Sequence, residues 1–176
     1  MTNHQGSKHY KRNPLEMTIC PMNPLHAQEI CSWTYESPYH IYNWPAWEHM
    51  QKDGIEFGDP VLRAAQYTAV IDNQQQLIGY AQFFPIAGVT RLGLGIIPAL
   101  CGQGLGPAFT RLIVAEARRR APENEIDLEV LTWNTRAVRT YEQAGFHIAD
   151  TYPHPKSDLC SDCYCMVYEP SEHHRG

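Results

Sequence analysis

Residues 94 to 109 read LGIIPALCGQGLGPAF: a short apolar run breaks at Pro98, and glycines fall at 102, 104 and 106 just before a stretch of helical periodicity. Glycine at every second position lets the backbone reach positive φ and come close to a ligand. A helix starting just afterwards aims its unpaired N–H groups at the same place, with its dipole behind them. Such a loop holds an anion with main chain alone, although a flexible or tightly packed turn would use the same glycines. Two other phosphate loops are excluded. A Walker loop ends in Gly-Lys-Ser/Thr, whereas Gly106 is followed by Pro107 and Ala108, leaving no lysine for a phosphate and no hydroxyl for magnesium. The dinucleotide fingerprint needs glycine at the sixth position from Gly102, which is Pro107. Pro107 suits the first turn of a helix instead.

A second chemical candidate is CSDCYC, with Cys160, Cys163 and Cys165 near His154. Zinc is one reading. The other is a strand, because Cys163 and Cys165 alternate with Tyr164 and Met166 and no second Cys-x-x-Cys pair exists. The expectation is no metal. Arg118, Arg119 and Arg120 close the helix after the glycine loop, where cations suit the negative end of its dipole.

The elements that must position these groups follow from pattern. MTICPM reads as a strand and LHAQEICSWTY as a helix entered from Asn23-Pro24; an aromatic, proline-bearing loop and a short helix around AWEHMQKD come next. QYTAVID and QLIGYAQFF are a hairpin turning at Asp72-Asn73, VTRLGLGII delivers the glycine loop, and residues 105 to 120 form a helix with Phe109, Leu112, Ile113 and Ala117 on one face. IDLEVLTW is a strand, NTRAVRTYEQAG a helix stopped by Gly145, and FHIADTYP with DCYCMVYEP a closing strand pair. The order is mixed α/β with one parallel crossover.

With 176 residues the chain suits one domain, and a formal charge of −5 with 14 lysines and arginines provides no broad basic face for nucleic acid or an anionic membrane. No run has the length and apolarity of a signal core or a bilayer span. Six sparse cysteines fit a reducing compartment. The expectation is a cytoplasmic protein with a disordered tail over 1–15, one domain over 16–170 and a second tail over 171–176.

LGIIPALCGQGLGPAF followed by LEVLTWNTRAVRTYEQAGF resembles the paired cofactor motifs of the GNAT superfamily of acyl-CoA-dependent N-acetyltransferases. Gly104 and Gly106 fall on the two small positions of the first motif; Leu128, Glu129, Val130, Asn134, Ala137, Tyr141, Gly145 and Phe146 match the second. The second motif looks most like the branch that includes ribosomal-protein N-terminal acetyltransferases. The resemblance implies a mostly antiparallel twisted sheet, splayed at one parallel strand pair and flanked by helices. It implies acetyl-CoA as cosubstrate, its pyrophosphate held over Cys101, Gly102, Gln103, Gly104, Leu105 and Gly106, with Asn134 and Ala137 also on the cofactor. Cys101 stands where the family has Gln or Arg, and Gln103 where a basic residue is common, so the loop itself brings no positive side chain. Arg136 and Arg139 are candidates for the nucleotide's 3′-phosphate, or simply solvated surface. Gly93 and Gly95, on one face of the preceding strand, suggest either a ligand against that face or close packing. The resemblance places the pantetheine arm in the splay and the Ile96 N–H against the thioester carbonyl, where oxyanion charge develops.

The implied reaction is direct attack of a primary amine on the thioester, through a tetrahedral intermediate. Tyr141, one turn beyond Ala137, is the implied general acid for the leaving thiolate. A lysine-like amine is neutral in only roughly four molecules in ten thousand at pH 7, so a base or water path is required, and an α-amine needs less help. Glu129 is a candidate base, with Glu36 or a water path as alternatives. For the acceptor, the segment WTYESPYHIYNWPAW, similar to one in small bacterial GNAT proteins, contributes Trp33, Tyr35, Glu36 and Tyr39 as a possible aromatic and anionic wall. Neither nucleic acid nor membrane is an expected partner, and the protein is a monomer or homodimer. A non-catalytic acyl-CoA sensor on the same fold is the second reading.

Overall fold

A computed structural model of the protein describes residues 15–153 and 161–170. The expected tails therefore lie largely outside the described residues, as do His154 and Cys160. Seven strands form one sheet: β1 (Met17–Pro21), β2 (Tyr67–Asp72), β3 (Leu77–Ile86), β4 (Val89–Ile96), β5 (Glu125–Leu131), β6 (Phe146–Pro153) and β7 (Asp162–Tyr168). Their spatial order is β1-β2-β3-β4-β5-β7-β6, and every neighbour pair is antiparallel except β4 with β5. That parallel pairing runs only from Val89↔Glu125 to Leu92↔Leu128. Beyond it, β4 continues to Ile96 and β5 to Leu131 without pairing to each other, so the sheet opens into a V.

Five α-helices flank the sheet: α1 (Pro24–Ser32), α2 (Trp47–Asp53), α3 (Pro60–Gln66), α4 (Gly106–Arg120) and α5 (Thr135–Ala144). Asn23 starts α1 by accepting the His26 N–H at 2.8 Å, with Pro24 in the first turn. This helix ends at Ser32, earlier than its apolar pattern suggests, because Trp33 is extended (φ −68°, ψ 134°) and turns its indole into the core. Helix α3 was not legible as a helix. Its start signal, Asp59-Pro60, is present, and Asp59 accepts from Val61 and Leu62 at 2.7 and 3.0 Å, but it buries no residue fully and so shows no apolar stripe.

Two cores result. On one face, Phe109, Ile113 and Ala117 of α4 pack with Leu92, Leu128, Phe146 and Met166; Leu112 reaches this core only in part. On the other face, α1 and α2 cover β1 to β3 through Ile30, Trp33, Met50, Phe57, Tyr67 and Tyr80. The arginines ending α4 are partly engaged: Arg119 and Arg120 each donate to Glu116 at 2.8 Å, and Arg120 lies over the Phe83 ring. Among the described residues, no helix is long and apolar enough to cross a membrane, and no group of three His, Cys, Asp or Glu is placed to hold a metal. Cys163 and Cys165 occupy one face of β7 while Met166 enters the core on the other.

Candidate active site

The V between β4 and β5 opens into a cavity of about 880 Å³ that runs from the glycine loop to the phenol of Tyr141. Its first wall is main chain. Ile97 N–H donates to Ile78 of β3 at 2.9 Å, so by strand alternation the backbone polar groups of Ile96 face the opposite way, into the V. Tyr35 Oη donates to the Ile96 carbonyl at 2.7 Å, and Cys101 Sγ lies 3.6 Å from the same oxygen.

The loop after β4 has the shape its glycines require. Gly102 and Gly104 hold φ of +74° and +80°, and a Cβ at either would meet nothing within 4 Å, so the space beside them is open. Gly106 serves another purpose: its Cβ would fall 2.6 Å from Thr140 Cγ2, so only glycine lets α4 start this close to α5. Among the described residues no side chain caps the α4 N-terminus, where Leu105 is the cap residue, so a cap does not consume its first amides. Unclaimed amides, an open cradle and a 15-residue helix fit a pyrophosphate. Of the residues expected here, Cys101, Gly102, Gly104 and Gly106 line the cavity; Leu105 packs toward the core and Gln103 folds back to donate to the Ala99 carbonyl at 2.7 Å.

Helix α5 supplies the facing wall. Asn134 caps it by accepting the Ala137 N–H at 3.2 Å, and its Nδ2 donates to Tyr42 Oη at 3.1 Å. It thus couples α5 to the aromatic segment as well as starting the helix. Arg136, Ala137, Thr140 and Tyr141 line the cavity; Arg139 is exposed and does not. The Arg136 guanidinium sits 4.1 Å from the Tyr39 ring centroid. Burial, reinforced by the neighbouring Tyr42 and Tyr80, pushes the Tyr141 phenol above its ordinary range, so it retains its proton and is available to donate it.

The aromatic segment crosses the mouth of the V. Tyr35 is fixed to β4 through Ile96, its own N–H donates to Asn43 Oδ1 at 2.8 Å, and Trp44 Nε1 donates to Tyr80 Oη at 3.0 Å. Tyr35 and Tyr39 line the cavity as expected, joined by Tyr42, Trp44 and Tyr80. Trp33 does not: it is buried 6.1 Å from the Tyr80 ring in the second core. Glu36 is exposed and outside the lining. Gly93 and Gly95 border the cavity, but the smallness of Gly95 is set by β3, since a Cβ there would lie 2.1 Å from the Tyr80 ring, while one at Gly93 would sit 3.3 Å from Gln82 Cβ, a tight contact that a small shift relieves. Tyr80 was invisible in the sequence because its role depends on register, Tyr80 standing opposite Gly95.

Glu129 lines the cavity from β5 and is not solitary. Its Oε1 accepts from Arg91 Nη1 at 2.5 Å and also from Tyr152 Oη. Arg91 in turn grips the buried Asp127 through Nε at 3.0 Å and Nη2 at 2.6 Å. None of these partners had a sequence signal, since they come from three strands.

A glycine cradle at a helix start, opening onto a splayed parallel pair, defines a GNAT-type domain. The chain belongs to the acetyltransferase (GNAT) family, whose family model matches residues 27–146. It is 33% identical over 94 residues to a mycothiol acetyltransferase from Salinispora tropica; that match covers 50% of this chain and 31% of the relative, so the chain spans about a third of that protein. Solved structures share the fold. A chimera of the spermidine N-acetyltransferase SpeG from Vibrio cholerae and hSSAT superimposes with a TM-score of 0.73 at 18% identity, covering 86% of this chain and 94% of the other. A GNAT-family acetyltransferase from Bacillus anthracis gives 0.69 at 15% identity over 86% and 93%. The aminoglycoside acetyltransferase AAC(6′)-Ib, in complex with coenzyme A, gives 0.66 at 24% identity over 86% and 94%.

Proposed function

We propose that the protein transfers the acetyl group of acetyl-CoA to a primary amine. The observation that carries this reading is the continuity of one cavity from the glycine loop, past the Ile96 edge, to the phenol of Tyr141. Acetyl-CoA supplies the activated acyl group as a thioester. The loop from Gly102 to Gly106 and the α4 N-terminus hold its anionic end, and the Ile96 N–H faces the position where oxyanion charge develops. Tyr141 donates the proton that the departing thiolate requires. The amine approaches from the side of Tyr35, Tyr39 and Glu129, and Glu129 is the carboxylate in reach to draw off its proton. An amine of low basicity, such as an α-amine, needs the least help to become neutral and fits this site best.

The test is the thermal midpoint with acetyl-CoA, ATP or NAD. At a hundred times its dissociation constant, a ligand stabilises the fold by about 2.7 kcal/mol. The expected result is a shift with acetyl-CoA alone, followed by thiol release when a panel of primary amines is added. No shift at saturating acetyl-CoA overturns the reading. A shift with no thiol release from any amine identifies a sensor rather than an enzyme.

A further inference from the structure

We infer that Arg91 is a positioning residue of the acceptor site: clamped by the buried Asp127, it fixes Glu129 at the vertex of the V with one carboxylate oxygen left to hold the acceptor's ammonium group. The inference deepens the acyl-transfer reading and rests on it for the chemistry of the acceptor.

The placement is the argument. Arg91 and Asp127 are register partners, one step before the parallel pairing ends at Leu92↔Leu128. Glu129 is the first β5 residue beyond that last pair and lines the cavity. Arg91 Nη1 therefore reaches diagonally, across the point where the strands part, to Glu129 Oε1 at 2.5 Å, while Nε and Nη2 stay on Asp127. A guanidinium held on two atoms has little freedom left, and its planar fork transmits that order to the third bond. Tyr152 from β6 donates to the same Oε1. Both of these bonds fall on Oε1, so neither Arg91 nor Tyr152 occupies Oε2.

The charges point the same way. Arg91 carries one positive charge against the two carboxylates of Asp127, which is 5% exposed, and Glu129, so the cluster holds a net charge of −1 at the cavity wall. Tyr152, Cys163 and Cys165 are the other titratable side chains facing this cluster, from β6 and β7, and all three are neutral in their ordinary forms. A fixed anion in a cavity that the Tyr35 ring also lines suits a small alkylammonium.

Removing Arg91 alone leaves Asp127 buried and unpaired and endangers the fold. The test therefore uses Arg91→Gln combined with Asp127→Asn, which takes away one charge of each sign, alongside Arg91→Lys, Glu129→Gln and the triple variant. The probe is n-butylammonium, with neutral n-butanol as control, titrated calorimetrically without acetyl-CoA; acetyl-CoA affinity is measured separately on each protein. The wild type is expected to prefer the ammonium over the alcohol. The R91Q/D127N pair is expected to bind n-butylammonium about tenfold more weakly, an ordinary coupling between contacting residues, with acetyl-CoA affinity unchanged and partial rescue in R91K. Adding E129Q to the pair should cost nothing further. A wild type with no preference for the ammonium overturns the inference, as does a folded R91Q/D127N protein with wild-type amine affinity, or an E129Q loss that adds in full to that of the pair. Failure of acetyl-CoA to bind would sink the acyl-transfer reading by a different measurement.

Discussion

The two halves of the cavity are built from different materials. On the donor side, the glycine loop and the α4 N-terminus offer main-chain amides, with no charged side chain on the loop itself. On the acceptor side, aromatic rings and a carboxylate are brought in by several strands and a long irregular segment, with Tyr35, Trp44, Tyr80 and Glu129 held by side-chain hydrogen bonds. Backbone recognition has one requirement, a conformation that only glycine adopts freely. Side-chain recognition requires several distant residues to converge. The first half tolerates variation around its glycines, while the second can change its ligand one residue at a time.

The largest break in this contrast should come from the side chain placed where the two halves meet. Tyr141→Phe keeps the packing of the ring on Phe146 but removes the proton donor. Turnover is expected to fall about a hundredfold or more, with acetyl-CoA affinity nearly unchanged, as read by steady-state thiol release beside calorimetry. Because burial holds the phenol above its ordinary range, activity in the wild type should not decline near pH 10 through loss of this proton. Equal losses in turnover and in binding would show that Tyr141 is a packing residue.

A smaller effect separates the two uses of glycine. At Gly95 the backbone accepts any residue but a Cβ would enter the Tyr80 ring at 2.1 Å, whereas at Gly104 there is room for a Cβ but φ is +80°. Gly95→Ala should cost about 1–3 kcal/mol of overpacking and Gly104→Ala about 1–2 kcal/mol of left-handed strain, both by denaturant midpoint. Only the second should weaken acetyl-CoA beyond what lost stability explains. The reverse pattern would move the cofactor from the loop to the strand face.

The smallest effect lies outside the cavity. Hydrogen bonding from Arg119, against some burial and with help from Arg120, holds the Glu116 carboxyl down at about 2. A depressed carboxyl contributes stability above its unfolded value near 4.3, and that contribution fades as pH falls toward 2. The thermal midpoint of the wild type should therefore drop more between pH 5 and pH 2 than that of Glu116→Gln. Arg119, the main partner, is largely solvated, so the difference is modest. Parallel curves would mean that the cluster is idle.

The same contrast explains what the sequence disclosed. The glycine loop, Asn134 and Tyr141 were legible because one local conformation and one helical spacing define them. All seven strands were legible from apolar runs. Helix α3 was not, lacking a buried stripe, and α1 was read too long because Trp33 and Tyr35 continue its apolar spacing after the backbone has left the helix. Trp33 belongs by aromatic density and segment resemblance to the acceptor wall, but neither says which face the indole takes. Tyr80 and the Arg91 cluster depend on cross-strand register, which a single chain does not print.

The short parallel pairing has a mechanical meaning. Strands β1 to β4 form one leaf of neighbours in chain order, and β5, β6 and β7 form a second; within the sheet the two are bound at a spine four register pairs long. A molecule lying in the V touches both leaves at once, so it acts as a stitch alongside that spine. Amide exchange at residues 125–128 should then slow when the cavity is filled, as a book opens less readily once a second row of binding has been sewn.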